Sequence, residues 1–387
     1  MDFELSQEQR ILQKTVRDFC VREIIPRASR WSEEARFPHE IIEPIAALGL
    51  LGIQIPERYG GAGMGMLDLC IALEEISRAD ASLGLTVASH SLLCMDHIHI
   101  AGTEEQRQKY LPRLASGKSL GAWCLTEPDS GSDAGAARTR ATRREGRDGL
   151  EWQLSGGKSF ITQGSVAQVY VVLASTTPSR KQKGLTAFIL EKGMPGLRPG
   201  RQIEKMGLWS SDTADVVIED VVVPDGQRLG EVDSGFFDTC KVLDRGRIGI
   251  GAWAVGIGRA ACEASRSYAK ERVQFGRPIG DFQAIRFMLA DMATELDAAR
   301  LLVWRAALMQ DRGQRTPRES SVAKYHASRV ALRVCDMAVQ IHGGYGYTRD
   351  FPVERYLRDV KLGEIGEGTN EIQKLVIARE VLKGTTV

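Results

Sequence analysis

The sequence predicts an α+β protein of three domains: a helical N-terminal domain over residues 1–120, a middle antiparallel β domain of sandwich or barrel type over 121–230, and a C-terminal four-helix bundle over 231–387. Three observations carry that reading. Apolar residues recur at helical spacing through the first third, at Phe19, Val21, Ile24 and Ile25 and again at Leu67, Cys70, Ile71, Leu73 and Ile76. Short β-branched runs, Val166–Ala174, Leu185–Leu190 and Val216–Val223, are then set apart by Gly, Pro and Asp. Beyond Pro224 no proline follows until Pro278, and helical spacing continues to the C-terminus. Helices, then strands, then long helices argue against an alternating βαβ sheet.

Along the chain, the first helices are interrupted by the turn-rich stretch Pro56-Glu57-Arg58-Tyr59-Gly60-Gly61-Ala62-Gly63. Charge-rich loops are expected at Arg143–Asp148 and Ser179–Lys183, and Gly156-Gly157 reads as a hairpin turn before the strand Phe160-Ile161-Thr162. The last helix is expected from Ile372 to Leu382. The uncharged run Ser159 to Ser179 is strongly apolar only over Val166–Ala174, short of the roughly 18 residues a membrane span needs, so it reads as a strand and no stable membrane insertion is expected.

The 387 residues carry 51 Lys plus Arg against 50 Asp plus Glu, a net charge of +1, which lacks the basic excess of a nucleic-acid-binding surface. With 43% hydrophobic and 26% charged residues the chain is of ordinary globular composition. Its seven cysteines show neither CxxC nor zinc-ligand spacing, as expected in a reducing compartment. The opening Met1-Asp2-Phe3-Glu4 has no secretory pattern, so a cytoplasmic location is expected, or the mitochondrial matrix after loss of a transit peptide. His97 and His99, two apart, point to different faces of a helix, and no metal site is expected. GxGxxG, GxxxxGK[ST] and HExxH are all absent, which argues against a Rossmann dehydrogenase, a P-loop nucleotidase and a zinc hydrolase.

Four segments stand out. Trp123–Asp133 takes a strand into a polar, glycine-containing turn whose N–H groups and hydroxyls suit phosphate oxygens. Lys158–Gly164 places one hydroxyl among apolar strand residues. Gln340–Tyr347 is a glycine cluster closing a helix. Glu364–Gln373 sets a carboxylate, Glu367, between two glycines that let the backbone take unusual angles and a ligand come close. Taken singly, each also reads as an ordinary strand exit, hairpin, helix cap or acidic loop.

Taken together, their order and spacing resemble the acyl-CoA dehydrogenase family over essentially the whole chain. The resemblance includes the Pro56–Gly63 loop, TEP-x-x-GSD, KxFIT, Met206-Gly207 with Ser211-Asp212-Thr213, Asp244-Arg245-Gly246-Arg247, Arg272-Val273-Gln274-Phe275-Gly276, Gln283, Gln340–Gly344 and EGTNEIQ. The short-chain branch is the nearest in look, through Leu243–Ile250 and Ala299–Arg305.

The resemblance implies FAD and the α,β-desaturation of a short- or medium-chain acyl-CoA thioester, with electrons passed to an electron-transfer flavoprotein. An acyl-ACP dehydrogenase and a flavin-dependent oxidase on the same scaffold are the alternatives. It makes Glu367 the base that removes the α-proton, its backbone N–H helping to bind the thioester carbonyl. For the flavin it implies Trp123, Leu125, Thr126, Gly131, Ser132, Phe160, Ile161, Thr162, Thr369 and Glu371. Arg272, Phe275, Gln283, Gln340, Gly343 and Gly344 correspond to the adenine end, reached from a neighbouring subunit, which implies a homo-oligomer, usually a tetramer. For the CoA portion it implies Ser132, Asp244, Arg247, Gly368 and Arg379. Some relatives carry the base immediately before the arginine of the Asp-x-x-Arg motif; here that position is Gly246. Trp209, Trp123 and Gly366 depart from the usual arginine, tyrosine or phenylalanine, and tyrosine.

Overall fold

The computed structural model describes residues 4–147 and 149–384. Seven helices come first: α1 (Gln7–Phe19), α2 (Ile25–Glu33), α3 (His39–Ala47), α4 (Met66–Ala79), α5 (Ala81–Ala88), α6 (Asp96–Ala101) and α7 (Glu104–Ala115). Local chemistry sets several of their ends. Ser6 Oγ accepts from the Gln9 N–H while Gln9 Oε1 accepts from the Ser6 N–H, a reciprocal cap that starts α1, and Thr103 with Gln106 repeats it at α7. A π-helical stretch, Ser89–Met95, joins α5 to α6 without a break. Such widened turns recur at functional sites because they push side chains off the regular helical stripe.

The strands are β1 (Gly121–Cys124), β2 (Arg140–Gly146), β3 (Gly149–Thr162), β4 (Val169–Ser175), β5 (Leu185–Glu191), β6 (Leu197–Gln202), β7 (Thr213–Pro224) and β8 (Arg228–Leu229). Their order in the sheet is β6-β7-β3-β2-β4-β5-β8, with β1 beside β4. The sheet is mixed, where the sequence pattern predicts an antiparallel one. β1 runs parallel to β4 from Gly121↔Val169 to Cys124↔Val172. Between them the chain passes through the β2–β3 pair, reversing twice, so β4 returns in the direction of β1. Every residue of β1 and β4 is buried, as in strands covered on both faces.

Two local expectations are also corrected. Gly156-Gly157 is no turn; it lies inside β3, where the register against β7 slips between Leu154 and Gly156. A Cβ at Gly156 would stand 2.5 Å from the Thr139 hydroxyl, so the glycine admits a close strand at a bulge. Arg140–Gly146 is strand and its pairing with β3 closes at Gly146↔Gly149; the charges that suggested a loop at Arg143–Asp148 belong mostly to an exposed strand face, and Asp148 lies outside the described residues.

The C-terminal part holds α8 (Gly235–Glu271), a short ribbon of β9 (Val273–Gln274) and β10 (Arg277–Pro278), then α9 (Gln283–Asp311), α10 (Pro317–His342), α11 (Val353–Val360) and α12 (Asn370–Leu382). It shares its core with the first helices: Ile71, Leu73 and Ile76 of α4 join one apolar cluster with Ile248, Trp253 and Ile257 of α8 and Ala327, Ala331 and Val334 of α10. Polar ties add direction. Asp311, at the end of α9, accepts from the first N–H groups of α4, Met66 at 2.5 Å and Leu67 at 3.1 Å. The buried carboxylates of Glu74 and Glu75 are met by Arg17, Arg259 and Arg300, linking α1, α4, α8 and α9.

A second buried pair shapes the turn after β1. Lys158 Nζ stands 2.7 Å from Glu127 Oε1 and donates to the Leu125 carbonyl at 3.1 Å, while Glu127 also accepts from the N–H groups of Arg138 (2.6 Å) and Thr139 (3.0 Å). Lys158→Met leaves that carboxylate buried without its cation, a loss of about 3–5 kcal/mol. A large fall in thermal midpoint is expected for Lys158→Met and almost none for Arg198→Ala, which opens the exposed Arg198–Glu219 pair. Equal midpoints for the two variants would contradict the assignment.

Candidate active site

Glu367 lies in the loop between a 3₁₀ turn (Lys361–Glu364) and α12. Its φ of 54° is left-handed, uncommon for a residue with a side chain, and Gly368 follows at φ 94°. The loop holds this shape through its carbonyls. Lys324 Nζ, on α10, donates to Gly368 O at 2.9 Å, and Gln373 Nε2 donates to the same oxygen at 2.8 Å and to Glu367 O at 3.3 Å. No hydrogen bond from the Glu367 backbone N–H is made within the described chain.

The Glu367 residue is half-buried, whereas its Oε2 is buried and has no hydrogen-bond partner among the described residues. Burial pushes the carboxyl up to about 7, against the pull of Arg247 and Lys324. The carboxylate points at Gly246 of α8. A Cβ placed there would stand 2.1 Å from Oε2 and 3.1 Å from Leu93 Cδ2, the latter in the π-helical stretch. Positions 246 and 367 therefore open onto the same small space, and a base carried on either one reaches the same point.

Beside it on α8, Arg247 Nη1 donates to Asp244 Oδ1 at 3.0 Å, and the buried Arg247 Nε has no partner. Burial raises the Asp244 carboxyl, opposed by the charges of Arg247, Arg315 and Arg379. Arg379 is exposed and pairs with Glu380 at 3.0 Å. Thr369 caps α12 by accepting from Ile372 N–H, and Glu371 is exposed in the first turn. These residues give the site one carboxylate oxygen buried without a partner, one buried arginine with an open donor, and an outer rim of charge.

The β-domain contribution is a second group. Phe160 falls where the register slips between Lys158 and Ile161, at φ 59°, and its ring is 64% exposed. Ile161 is buried and Thr162 half-buried. Trp123 and Leu125 are buried below the turn, Thr126 is half-buried, and Gly131 and Ser132 are exposed on it, with nothing within 4 Å of a Cβ built at Gly131. Trp123 Nε1 donates to His97 Nδ1 at 3.0 Å, and burial pushes His97 down to about 4, so the ring accepts as the neutral species. Both amide atoms of Gln163 are buried without partners. An aromatic ring, an open glycine turn and orphaned polar atoms fit a flat, hydrogen-bonding cofactor such as the isoalloxazine of FAD.

The remaining predicted residues gather elsewhere. Arg272, Phe275, Gln283, Gln340, Gly343 and Gly344 surround the β9–β10 ribbon and the end of α10; Arg272 lies 5.5 Å from the Tyr345 ring, and Phe275 is 94% exposed. Arg247 on α8 and Arg272, the residue that caps its C-terminus, are about 38 Å apart along the helix axis. The two groups do not meet within one chain.

Sequence reasoning missed Lys324, and it gave no role to Glu127, Asn370 and Gln373 inside the quoted motifs or to His97 beyond its not being a metal ligand. Lys324 carries a readable signal: it falls on the small-residue face Ala323, Ala327, Ser328 and Ala331, where a cation breaks the buried pattern. Trp209, where arginine is common, stacks under Arg358 at 4.0 Å and near Arg349 at 5.4 Å, so cations from the 349–358 segment cover the indole. Among the described residues no group of His, Cys, Asp and Glu is arranged to hold a metal, and no helix is long and apolar enough to cross a membrane.

Models of the acyl-CoA dehydrogenase N-terminal, middle and C-terminal domains match residues 6–118, 122–221 and 233–382. An acyl-CoA dehydrogenase of Bacillus subtilis (strain 168) is 46% identical over 98% of this chain and 100% of its own length. The structure of butyryl-CoA dehydrogenase from Megasphaera elsdenii superposes with a TM-score of 0.96 at 41% identity, covering 99% of this chain and 100% of that one. A chain from a study of the electron transferring flavoprotein of Acidaminococcus fermentans superposes with a TM-score of 0.97 at 43% identity, covering 99% and 100%. The chain belongs to the acyl-CoA dehydrogenase family of FAD-dependent oxidoreductases.

Proposed function

We propose that the protein desaturates a short- or medium-chain acyl-CoA thioester to the trans-2-enoyl-CoA, with Glu367 as base, and passes the electrons to an electron-transfer flavoprotein. One observation carries the reading: a carboxylate whose buried Oε2 has no partner, raised to about 7 by burial against the charges of Arg247 and Lys324. The solved butyryl-CoA dehydrogenase supports the chain length, and the similar chain from a structure titled for an electron transferring flavoprotein supports the acceptor.

The α-proton of a thioester is weakly acidic, so its removal needs a base of matched strength held against it and hydrogen bonds to the oxygen that gains charge. Burial makes Glu367 a stronger base than a solvated glutamate, and Arg247 with Lys324 keeps its ionised form accessible near neutral pH. The α-proton passes to a carboxylate oxygen of Glu367. Its backbone N–H, without a partner among the described residues, is available to the thioester oxygen. Bound FAD supplies the acceptor for the hydride that leaves Cβ. Trp123, Leu125, Thr126, Gly131, Ser132, Phe160, Ile161 and Thr162 would hold the flavin, with Thr369 and Glu371 contributing from the bundle side. Asp244, Arg247, Gly368, Arg379 and Ser132 line the path of the CoA portion. The proposed division is a helical domain over 1–120, a β domain over 121–230 and a helical bundle over 231–387.

The separation along α8 supports a homo-oligomer, with a tetramer as the expected form. Arg272, Phe275, Gln283, Gln340, Gly343 and Gly344 then serve the adenine end of a neighbour's FAD. The unpaired cysteines agree with a reducing, cytoplasmic setting.

A yellow protein that releases FAD and not FMN on denaturation is expected; a colourless protein that cannot be reconstituted with FAD contradicts the reading. Glu367→Gln keeps the shape and the backbone N–H but removes the proton acceptor. Flavin bleaching by anaerobic butyryl-CoA is expected to slow about 10²–10⁴-fold with FAD content unchanged. In the parent, the same rate falls on the acid side of about pH 7, because protonated Glu367 accepts nothing, and levels off above it. A Gln variant that bleaches at the parental rate places the base elsewhere. Arg272→Ala is expected to weaken FAD retention and subunit association together, measured by flavin-to-protein ratio and sedimentation; a monomer that keeps all its flavin would contradict the shared site.

A further inference from the structure

We propose that Lys324 is a positioning residue for the base, holding the Glu367–Gly368 turn in its left-handed shape and placing a positive charge near the Glu367 carboxylate. This rests on the assignment of Glu367 as base. Lys324 has no exposed surface, in a helix face otherwise made of Ala and Ser. A buried ammonium is costly unless its donors are used. Here they are aimed at the loop: Nζ donates to Gly368 O at 2.9 Å and to Asn370 Oδ1 at 3.1 Å, and Asn370 is tied in turn to Ser328 Oγ at 3.2 Å. One cation thus joins the carbonyl just after the base to the first residue of α12.

The geometry explains why the anchor is a cation and not another amide. Gln373 already donates to Gly368 O at 2.8 Å, so a neutral donor is present; the ammonium adds charge. The groups facing this corner come from four elements: Arg247 with Asp244 from α8, Lys324 from α10, Glu364 from the 3₁₀ turn and Glu371 from α12. Arg247 is bound to Asp244, which offsets its charge. No carboxylate forms an ion pair with Lys324 among the described residues, and its charge acts on Glu367, Glu364 and Glu371. Burial in turn lowers Lys324 to about 8, so its charge is present near neutrality and fades above that pH.

The sign follows. A nearby cation favours the ionised form of a carboxyl, so removing it moves the acid limb of α-proton removal towards higher pH. Two variants separate charge from anchor. Lys324→Gln retains a donor for Gly368 O without the charge; Lys324→Met removes both. The holoenzyme is followed by the rate of flavin bleaching with butyryl-CoA between pH 5.5 and 9.5 (about four decades of proton activity). Hydrogen exchange of the 361–373 peptide is read in parallel.

For Lys324→Gln the acid limb is expected to move up by about one pH unit, a roughly tenfold lower rate below neutrality. The rate should converge with the parent above the pH where Lys324 itself loses its proton. For Lys324→Met the limb should move likewise, the alkaline rate should stay at least about tenfold below the parent, and exchange at Glu367 and Gly368 should quicken. A Gln variant with the parental limb overturns the electrostatic part, and a Met variant with parental exchange and alkaline rate overturns the anchoring part. If Lys324→Met does not fold, the Gln variant alone decides the proposal by its limb. Failure of the base assignment reads differently: Glu367→Gln then bleaches normally whatever residue stands at 324.

Discussion

The structure around the cleft depends on one constraint: a carboxylate must sit where water does not, yet still ionise near neutral pH. Dryness alone favours the protonated acid, and an exposed ion pair alone makes a weak base. Glu367 lies between these limits, with burial raising it and two cations on separate helices opposing that rise. Neither cation forms an ion pair with it. Arg247 is engaged by Asp244 and Lys324 by backbone and amide oxygens, so the carboxylate keeps an open lone pair.

Placing the charge this way constrains the backbone. The left-handed turn at Glu367 aims its side chain at Gly246, and two donors must hold the turn from behind. Those donors sit on α10 and α12, while Gly246 and Arg247 sit on α8, so the site depends on the packing of three helices. That explains why so much polar chemistry lies far from the reaction. The Glu74–Glu75 arginine network and the Asp311 cap lock α4, α8 and α9 together, and the Lys158–Glu127 pair fixes the turn that offers Gly131 and Ser132. Buried charges of this kind specify one arrangement more than they add stability.

Much of this was legible in the sequence. The three-part order followed from changes of apolar period, and β4, β5 and β7 lie where β-branched runs place them. Glu367 was visible as a carboxylate between glycines, although its role came from the resemblance of the whole motif set. What escaped reading was non-local. The parallel pairing of β1 with β4 depends on chain reversals 20 to 40 residues away, and Gly156-Gly157 looks the same in a turn as at a bulge against Thr139. Lys324 was missed, and Glu127 given no role, because a charged residue in sequence reads as solvent-facing until its burial is known. The gathering of Arg272, Phe275 and Gln340 at the far end of α8 was anticipated only through the resemblance.

The measurement that bears most directly on a dry, tuned base is exchange of the substrate α-proton with deuterated solvent, followed by NMR on an acyl-CoA analogue unable to release hydride from Cβ. Exchange isolates proton transfer from every later step. The account predicts exchange at Cα alone, catalysed by the FAD-loaded protein, rising through about pH 7 and abolished in Glu367→Gln with FAD retained. Exchange that persists in that variant, or that follows a solvated glutamate by levelling off near pH 4.5, would contradict it.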